Sequence, residues 1–184
     1  TPLLEHGFIE EVPMGHPERM KYAHNITVAA KRDAVTREWT DARSCHDARA
    51  INKITCPDQY QMQKAEDLMQ KMQNAKFFSS LDLKKGFYQI RVAEKHKIHT
   101  AFWWNGKLYW WNRMTFGFRN ASAKFQRVMD YEIAKAGLSH CAAAYIDDVV
   151  VWSDTFEEHI EHLNKMFAML QGCGLKLHPE KCTF

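Results

Sequence analysis

The run Ala143-Ala144-Tyr145-Ile146-Asp147-Asp148-Val149-Val150-Val151-Trp152 sets two adjacent carboxylates between two apolar, β-prone arms. Such arms read as a buried strand pair, with only turn residues between them. Asp147 and Asp148 therefore place like charges beside a core, where they repel each other and resist desolvation. Aspartate also suits turns, so the pair alone admits a plain polar hairpin. The alternative is a divalent cation held by carboxylate oxygens, which would offset the cost.

A third carboxylate bears on that choice. Phe77-Phe78-Ser79-Ser80-Leu81-Asp82-Leu83 reads as a strand with Asp82 near its end, followed by Lys84-Lys85-Gly86. Asp82 either ends an edge strand or joins Asp147 and Asp148 as a metal ligand. Three carboxylates on neighbouring strand ends can hold two Mg²⁺ ions, which activate an attacking hydroxyl and stabilise the leaving oxygen in phosphoryl transfer.

The 184 residues suffice for one domain or two packed subdomains, and 46% apolar with 26% charged content excludes a disordered chain. No apolar run spans a bilayer and no signal pattern opens the chain, which starts mid-pattern as a processed fragment would. Cys45, Cys56, Cys141, Cys173 and Cys182 are odd in number and scattered, which suits reduced thiols in an intracellular, cytoplasmic or nuclear, non-secreted protein. A net charge of +3 permits nucleic-acid binding without requiring it.

Periodicity predicts a short helix over 3–11, a strand over 25–30, a turn-like 31–39, mixed strand and loop over 40–51, and helices over 64–74 and 120–135. The helix over 64–74 would turn Ala65, Leu68, Met69 and Met72 inward. That over 120–135 would bury Ala121, Phe125, Val128, Met129 and Ile133. Asn105-Gly106 between aromatic strands is a type I′ hairpin signal. Of Trp103–Trp104 and Trp110–Trp111, at least one ring in each pair should face the core, because consecutive strand residues alternate. Thr155-Phe156-Glu157-Glu158 is a capping box opening a helix to about Gln171, with Ile160, Leu163, Phe167 and Leu170 inward. The interleaving gives an α+β fold, an antiparallel sheet with helices on one face.

These stretches, with Thr100-Ala101-Phe102, Met114-Thr115-Phe116-Gly117, Phe125-Gln126-Arg127-Val128-Met129 and Gly174-Leu175-Lys176-Leu177-His178-Pro179-Glu180-Lys181-Cys182, occur in one order. In that order and spacing, from about residue 3 to the last, the chain resembles the reverse transcriptase domain of Ty3/gypsy long-terminal-repeat retrotransposons. The resemblance implies a right-hand polymerase, with residues 1–75 mainly fingers (joined by about 92–112) and 76–184 mainly palm. Thumb, connection and RNase H regions would lie downstream in a polyprotein.

The resemblance also assigns roles. Asp82, Asp147 and Asp148 match the catalytic carboxylates and metal ligands for two Mg²⁺, with Mn²⁺ as a substitute. Leu83, Lys84, Lys85 and Gly86 match a segment whose N–H groups approach the triphosphate. Phe87 matches the ring under the deoxyribose, which would clash with a 2′-hydroxyl; ordinary core packing is its other reading. Lys31 and Arg43 match triphosphate-binding cations, roles that Arg32 or Arg37 can also fill. Phe116, Gly117 and Gln126 would line the template and nucleotide pocket, and Tyr145 and Ile146 would meet primer and template.

The implied enzyme is an RNA- and DNA-templated DNA polymerase acting on a primed RNA or DNA template and deoxynucleoside triphosphates, without a membrane. The competing reading is a non-catalytic structural or nucleic-acid-binding relic. It draws on departures from the family pattern: Thr115, Ser122, Gln61 and Gln63 in place of prolines, Ala48 in place of an aromatic, and an unmatched 13–22. His159, His162, His178 and Cys182 invite a zinc reading, but their spacing fits no compact zinc module, and exposed histidines on a capped helix account for them.

Overall fold

Short apolar strands separated by positive-φ turns cannot bury both faces alone, and here they assemble into two units. The structure, a computed structural model, describes residues 2–19, 21–32 and 39–184, and only the backbone of 28–32 and 39–44. In chain order the elements are α1 (Pro2–Glu5), β1 (Ile9–Glu11), β2 (Ile26–Arg32), β3 (Trp39–His46), α2 (Arg49–Ile54), α3 (Ala65–Met72) and β4 (Phe77–Asp82). Then come α4 (Glu94–Lys97), β5 (Phe102–Trp104), β6 (Lys107–Trp111), α5 (Ala121–Lys135), β7 (Ala142–Tyr145), β8 (Asp148–Ser153) and α6 (Phe156–Gly172). One unit comprises 1–57 and 90–121, the other 58–89 and 122–184. The mixture of helices and antiparallel sheets is the expected α+β class. Among the described residues, no helix is long and apolar enough to cross a membrane.

In the first unit β6 lies between β1 and β5, and β2 pairs with β3. The expected helix over 3–11 stops at Glu5. Gly7, at φ +65, closes it, and Ile9–Glu11 then pairs with Tyr109–Trp111. The expected loop mixture over 40–51 is instead the end of an eight-residue strand and the start of α2, whose Arg49 N–H donates to Asp47 Oδ1. Positive φ at both Asn105 (47°) and Gly106 (73°) matches the I′ turn. The tryptophans break the expected alternation. Trp110 and Trp111 on the central strand are both buried, while Trp103 and Trp104 on edge strand β5 are both exposed. Trp110 Nε1–H donates to Glu10 Oε1 at 2.6 Å, which satisfies the indole inside a cluster with Val12, Ile98, Ala101 and Leu108.

His46 ends β3 buried, stacked on Phe118 (centroids 5.0 Å, 22°), with neither ring nitrogen hydrogen-bonded among the described residues. Burial, and then the neighbouring His24, lowers its pKa from 6.5 to about 4. A folded value below the unfolded one means the unfolded chain binds more protons between these limits. Stability contributed by neutral His46 is complete above pH 6.5 and is lost as pH falls toward 4, by roughly 3 kcal/mol in all. Urea unfolding of this unit across that range should show the slope in the parent, and His46→Phe should flatten it. An unchanged slope would refute the assignment.

In the second unit β8 lies between β4 and β7, all antiparallel. α5 buries Ala121, Phe125, Met129 and Ile133 as expected, with Val128 half-buried. α3 buries none of its residues: Leu68 and Met72 are half-covered and Met69 is exposed. The capping box of α6 is present in both directions, Thr155 with Glu158. Its inward face, however, carries His159, Leu163, Met166 and Leu170, with Ile160 and Phe167 turned to the exposed side. The cause is polar. His159 exchanges hydrogen bonds with Ser79 Oγ (2.8 Å) and Ser153 Oγ (3.0 Å), which fixes the rotation of the helix on the sheet. His159 is therefore a buried core group rather than an exposed one.

Candidate active site

β4 and β8 run antiparallel with Asp82 directly opposite Asp148, so the last residue of one strand faces the first of the other. Tyr145 also pairs with Asp148, which leaves Ile146-Asp147 as a two-residue hairpin loop. Ile146 has φ 55, a strained value for a β-branched residue. Three carboxylates separated by up to 66 positions thus meet at one strand end. Asp147 Oδ1 is buried and accepts no hydrogen bond among the described residues. Burial, then Asp148 and Asp82, raises the Asp147 pKa. A buried, unpaired carboxylate oxygen amid further negative charge fits a divalent cation, and oxygen donors suit magnesium or manganese.

Gly86 lies against this group. A Cβ at that position would sit 2.0 Å from Asp147 Oδ1 and 2.6 Å from its Cγ, so only glycine admits the observed carboxylate. Phe87 follows in the 3₁₀ turn Gly86–Gln89 and is buried edge-on against Phe125, centroids 5.7 Å apart. The expected N–H run is shorter than four. Leu83 N–H donates to Asp147 O (3.0 Å) and Lys84 N–H to Lys176 O (2.9 Å). Those two donors are committed to holding the site together.

Gln126 is almost fully buried behind the hairpin loop. Its Nε2 donates to Ala144 O (2.7 Å) and Asp130 Oδ1 (2.9 Å), and its Oε1 accepts from Ile146 N–H (2.8 Å). Gln126 thus braces the strained hairpin loop from behind. Truncation in Gln126→Ala orphans two backbone groups, at about 1–3 kcal/mol each, so melting should fall by several degrees and carboxylate-dependent metal affinity should drop. A melt within a degree of the parent would contradict the bracing role.

Several contributors had no local signal. Gln89 Nε2 donates to Lys84 O and Lys176 O, its Oε1 accepts from Lys176 N–H, and His178 N–H donates to Asp82 O. Lys181 Nζ lies 3.8 Å from Asp82 Oδ2. Together these tie the segment after α6 to the end of β4. Tyr145 is exposed and Ile146 half-buried at the hairpin. Phe116 and Gly117 lie in the first unit. There Gly117, at φ +102, packs so closely on His46 O that a Cβ would approach to 2.5 Å. Lys31 and Arg43 lie in paired strands β2 and β3, and their side chains, like all of Arg37, are outside the described residues. The four-residue zinc set does not form, since His159 is engaged by two serines.

This geometry has relatives. The Pol polyprotein of the Drosophila melanogaster transposon gypsy is 32% identical over 182 residues, 99% of this chain and 17% of that protein. Polyprotein P3 of Commelina yellow mottle virus is 40% identical over 133 residues, 72% of this chain and 7% of that protein. The chain therefore spans less than a fifth of either. The structure of the foamy viral protease–reverse transcriptase in complex with RNA/DNA hybrid matches at a TM-score of 0.81 and 25% identity, over 99% of this chain and 22% of that one. The family model described as reverse transcriptase (RNA-dependent DNA polymerase) matches residues 31–184. With that match covering most of its length and the gypsy Pol polyprotein aligned along nearly all of it, this chain belongs to the reverse transcriptase family, on the side of the gypsy-type retrotransposons.

Proposed function

We propose that this chain is the fingers and palm of an RNA- and DNA-templated DNA polymerase, with the unit of 1–57 and 90–121 as fingers and that of 58–89 and 122–184 as palm. The observation that carries the reading is the buried, unpaired Asp147 Oδ1 at a strand end shared with Asp82 and Asp148. Two Mg²⁺ ions, or Mn²⁺ in their place, would be held by Asp82 and Asp147 with Asp148 shaping the local field. When bound, they supply Lewis-acid activation of the primer hydroxyl and charge neutralisation at the leaving group.

The protein's own residues do the positioning. Asp147 is set by the Gly86 contact from one side and by the Gln126-braced loop from the other. The segment Leu83, Lys84, Lys85 and Gly86 would approach a triphosphate, and Phe87, held on Phe125, would exclude a ribose 2′-hydroxyl. Lys31, Arg43, Phe116 and Gly117 would bind nucleotide, and Tyr145 and Ile146 would touch primer and template. The gypsy Pol polyprotein is a longer chain, and downstream thumb and RNase H regions would strengthen the grip on duplex. Retention of all three aspartates, with Gly86 fitted against one, favours the enzyme over a relic. The test is Mg²⁺-dependent primer extension on RNA and DNA templates, with Asp147→Asn/Asp148→Asn as control and the downstream polyprotein sequence restored. Extension by the parent alone is expected; silence from both would refute the reading.

A further inference from the structure

At the opposite end of the β7–β8 hairpin from the aspartates lies a second cluster. His140 and Cys141 occupy the turn leading into β7, and His162 projects from α6. One ligand atom from each lies within 4.8 Å of the others. The two imidazoles meet edge-on with centroids 5.3 Å apart. A tetrahedral zinc with nitrogen and thiolate ligands holds its donors about 3.3–3.7 Å apart, so the cluster needs only a small contraction.

We propose that His140, Cys141 and His162 bind a zinc ion, with water as the fourth ligand, clipping the turn after α5 to α6. The donor set is chemically selective: imidazole and thiolate suit zinc, whereas the oxygen site suits magnesium. The ring orientation is already supported. Ser153 Oγ holds Nδ1 of His162 at 2.8 Å and also Nδ1 of His159, which leaves Nε2 of His162 for the metal. His140 is exposed and gives an ion access, while Cys141 is buried beside it. Burial pushes the Cys141 thiol up to about 11, so without metal it is a protonated, inert group; on binding, its proton leaves to solvent and sulfur coordinates as thiolate. The four residues of β7, about 13 Å of strand, separate this site from the aspartate loop, so the inference stands apart from the polymerase reading.

Cobalt(II) is the probe. Titrated into the chain carrying Asp147→Asn/Asp148→Asn, which removes the carboxylate site, one equivalent should produce a thiolate-to-cobalt charge-transfer band with tetrahedral d–d absorption, and zinc should abolish both. Cys141→Ser should lose the charge-transfer band. His140→Ala, an exposed change that spares the core, should weaken zinc binding about tenfold or more in chelator competition and cancel the zinc-induced rise in melting temperature. Absence of the charge-transfer band in the Asp147→Asn/Asp148→Asn chain, an undiminished band in Cys141→Ser, or unchanged zinc affinity in His140→Ala would overturn the assignment.

Discussion

Asp147→Asn should abolish nucleotide addition, by roughly 10³-fold or more, while raising the melting temperature of the metal-free protein. The two effects have one origin. Asp147 is desolvated at the hairpin loop with Asp148 and Asp82 nearby, and its pKa is raised in that order of causes. For a carboxyl whose folded pKa lies above its unfolded one, the favourable contribution is complete below the unfolded value and is lost as pH rises through the folded one. At neutral pH the ionised group therefore strains the metal-free fold, and an uncharged amide of the same shape relieves it. The same charge attracts the divalent ions on which the chemistry depends. Melting at pH 7 with and without Mg²⁺ checks the pairing. The parent should gain stability with Mg²⁺, and the variant should start higher and gain little. A variant that melts lower than the metal-free parent would sink the electrostatic account, whatever its activity.

Gly86→Ala should cost about 10²-fold or more in extension rate, because the added methyl would force the Asp147 carboxylate from its place. The built Cβ lies 2.0 Å from Oδ1, well inside any real contact. Gly86 is not in the left-handed region, so its backbone accepts alanine, and the whole penalty comes from the clash. Overpacking of this kind costs about 1–3 kcal/mol, less a few tenths returned by a stiffer unfolded chain. A double-mutant cycle isolates the cause: Gly86→Ala should destabilise the parent and leave an Asp147→Ala background almost untouched. Equal destabilisation in both would show that the methyl meets something else.

Much of the local structure was legible in the residues. Asn105-Gly106, the Thr155–Glu158 capping box and the apolar arms around Asp147-Asp148 each carry their geometry within a few positions, and each forms as expected. Other elements depended on distant partners. Ile9–Glu11 is a strand because β6 pairs with it, once Gly7 has ended α1. Trp103 and Trp104 share an exposed edge, while Trp110 and Trp111 share a central strand, a distinction that periodicity does not encode. α6 turns His159 inward because Ser79, 80 residues away, and Ser153 meet its ring.

Residue types and their order alone determined the α+β class, the three carboxylates and the family pattern that links them. They left open what each neighbouring group does. Gln126 braces the Ile146 loop, Gly86 seats against Asp147, Gln89 and the segment after α6 tie down the end of β4, and His140, Cys141 and His162 converge at the far end of the hairpin. Each of these rests on contacts between chain segments whose separation is set by sheet register and helix rotation. Those are properties of packing, in which a one-residue slip or a quarter turn exchanges buried for exposed groups, and so only the tertiary structure decided them.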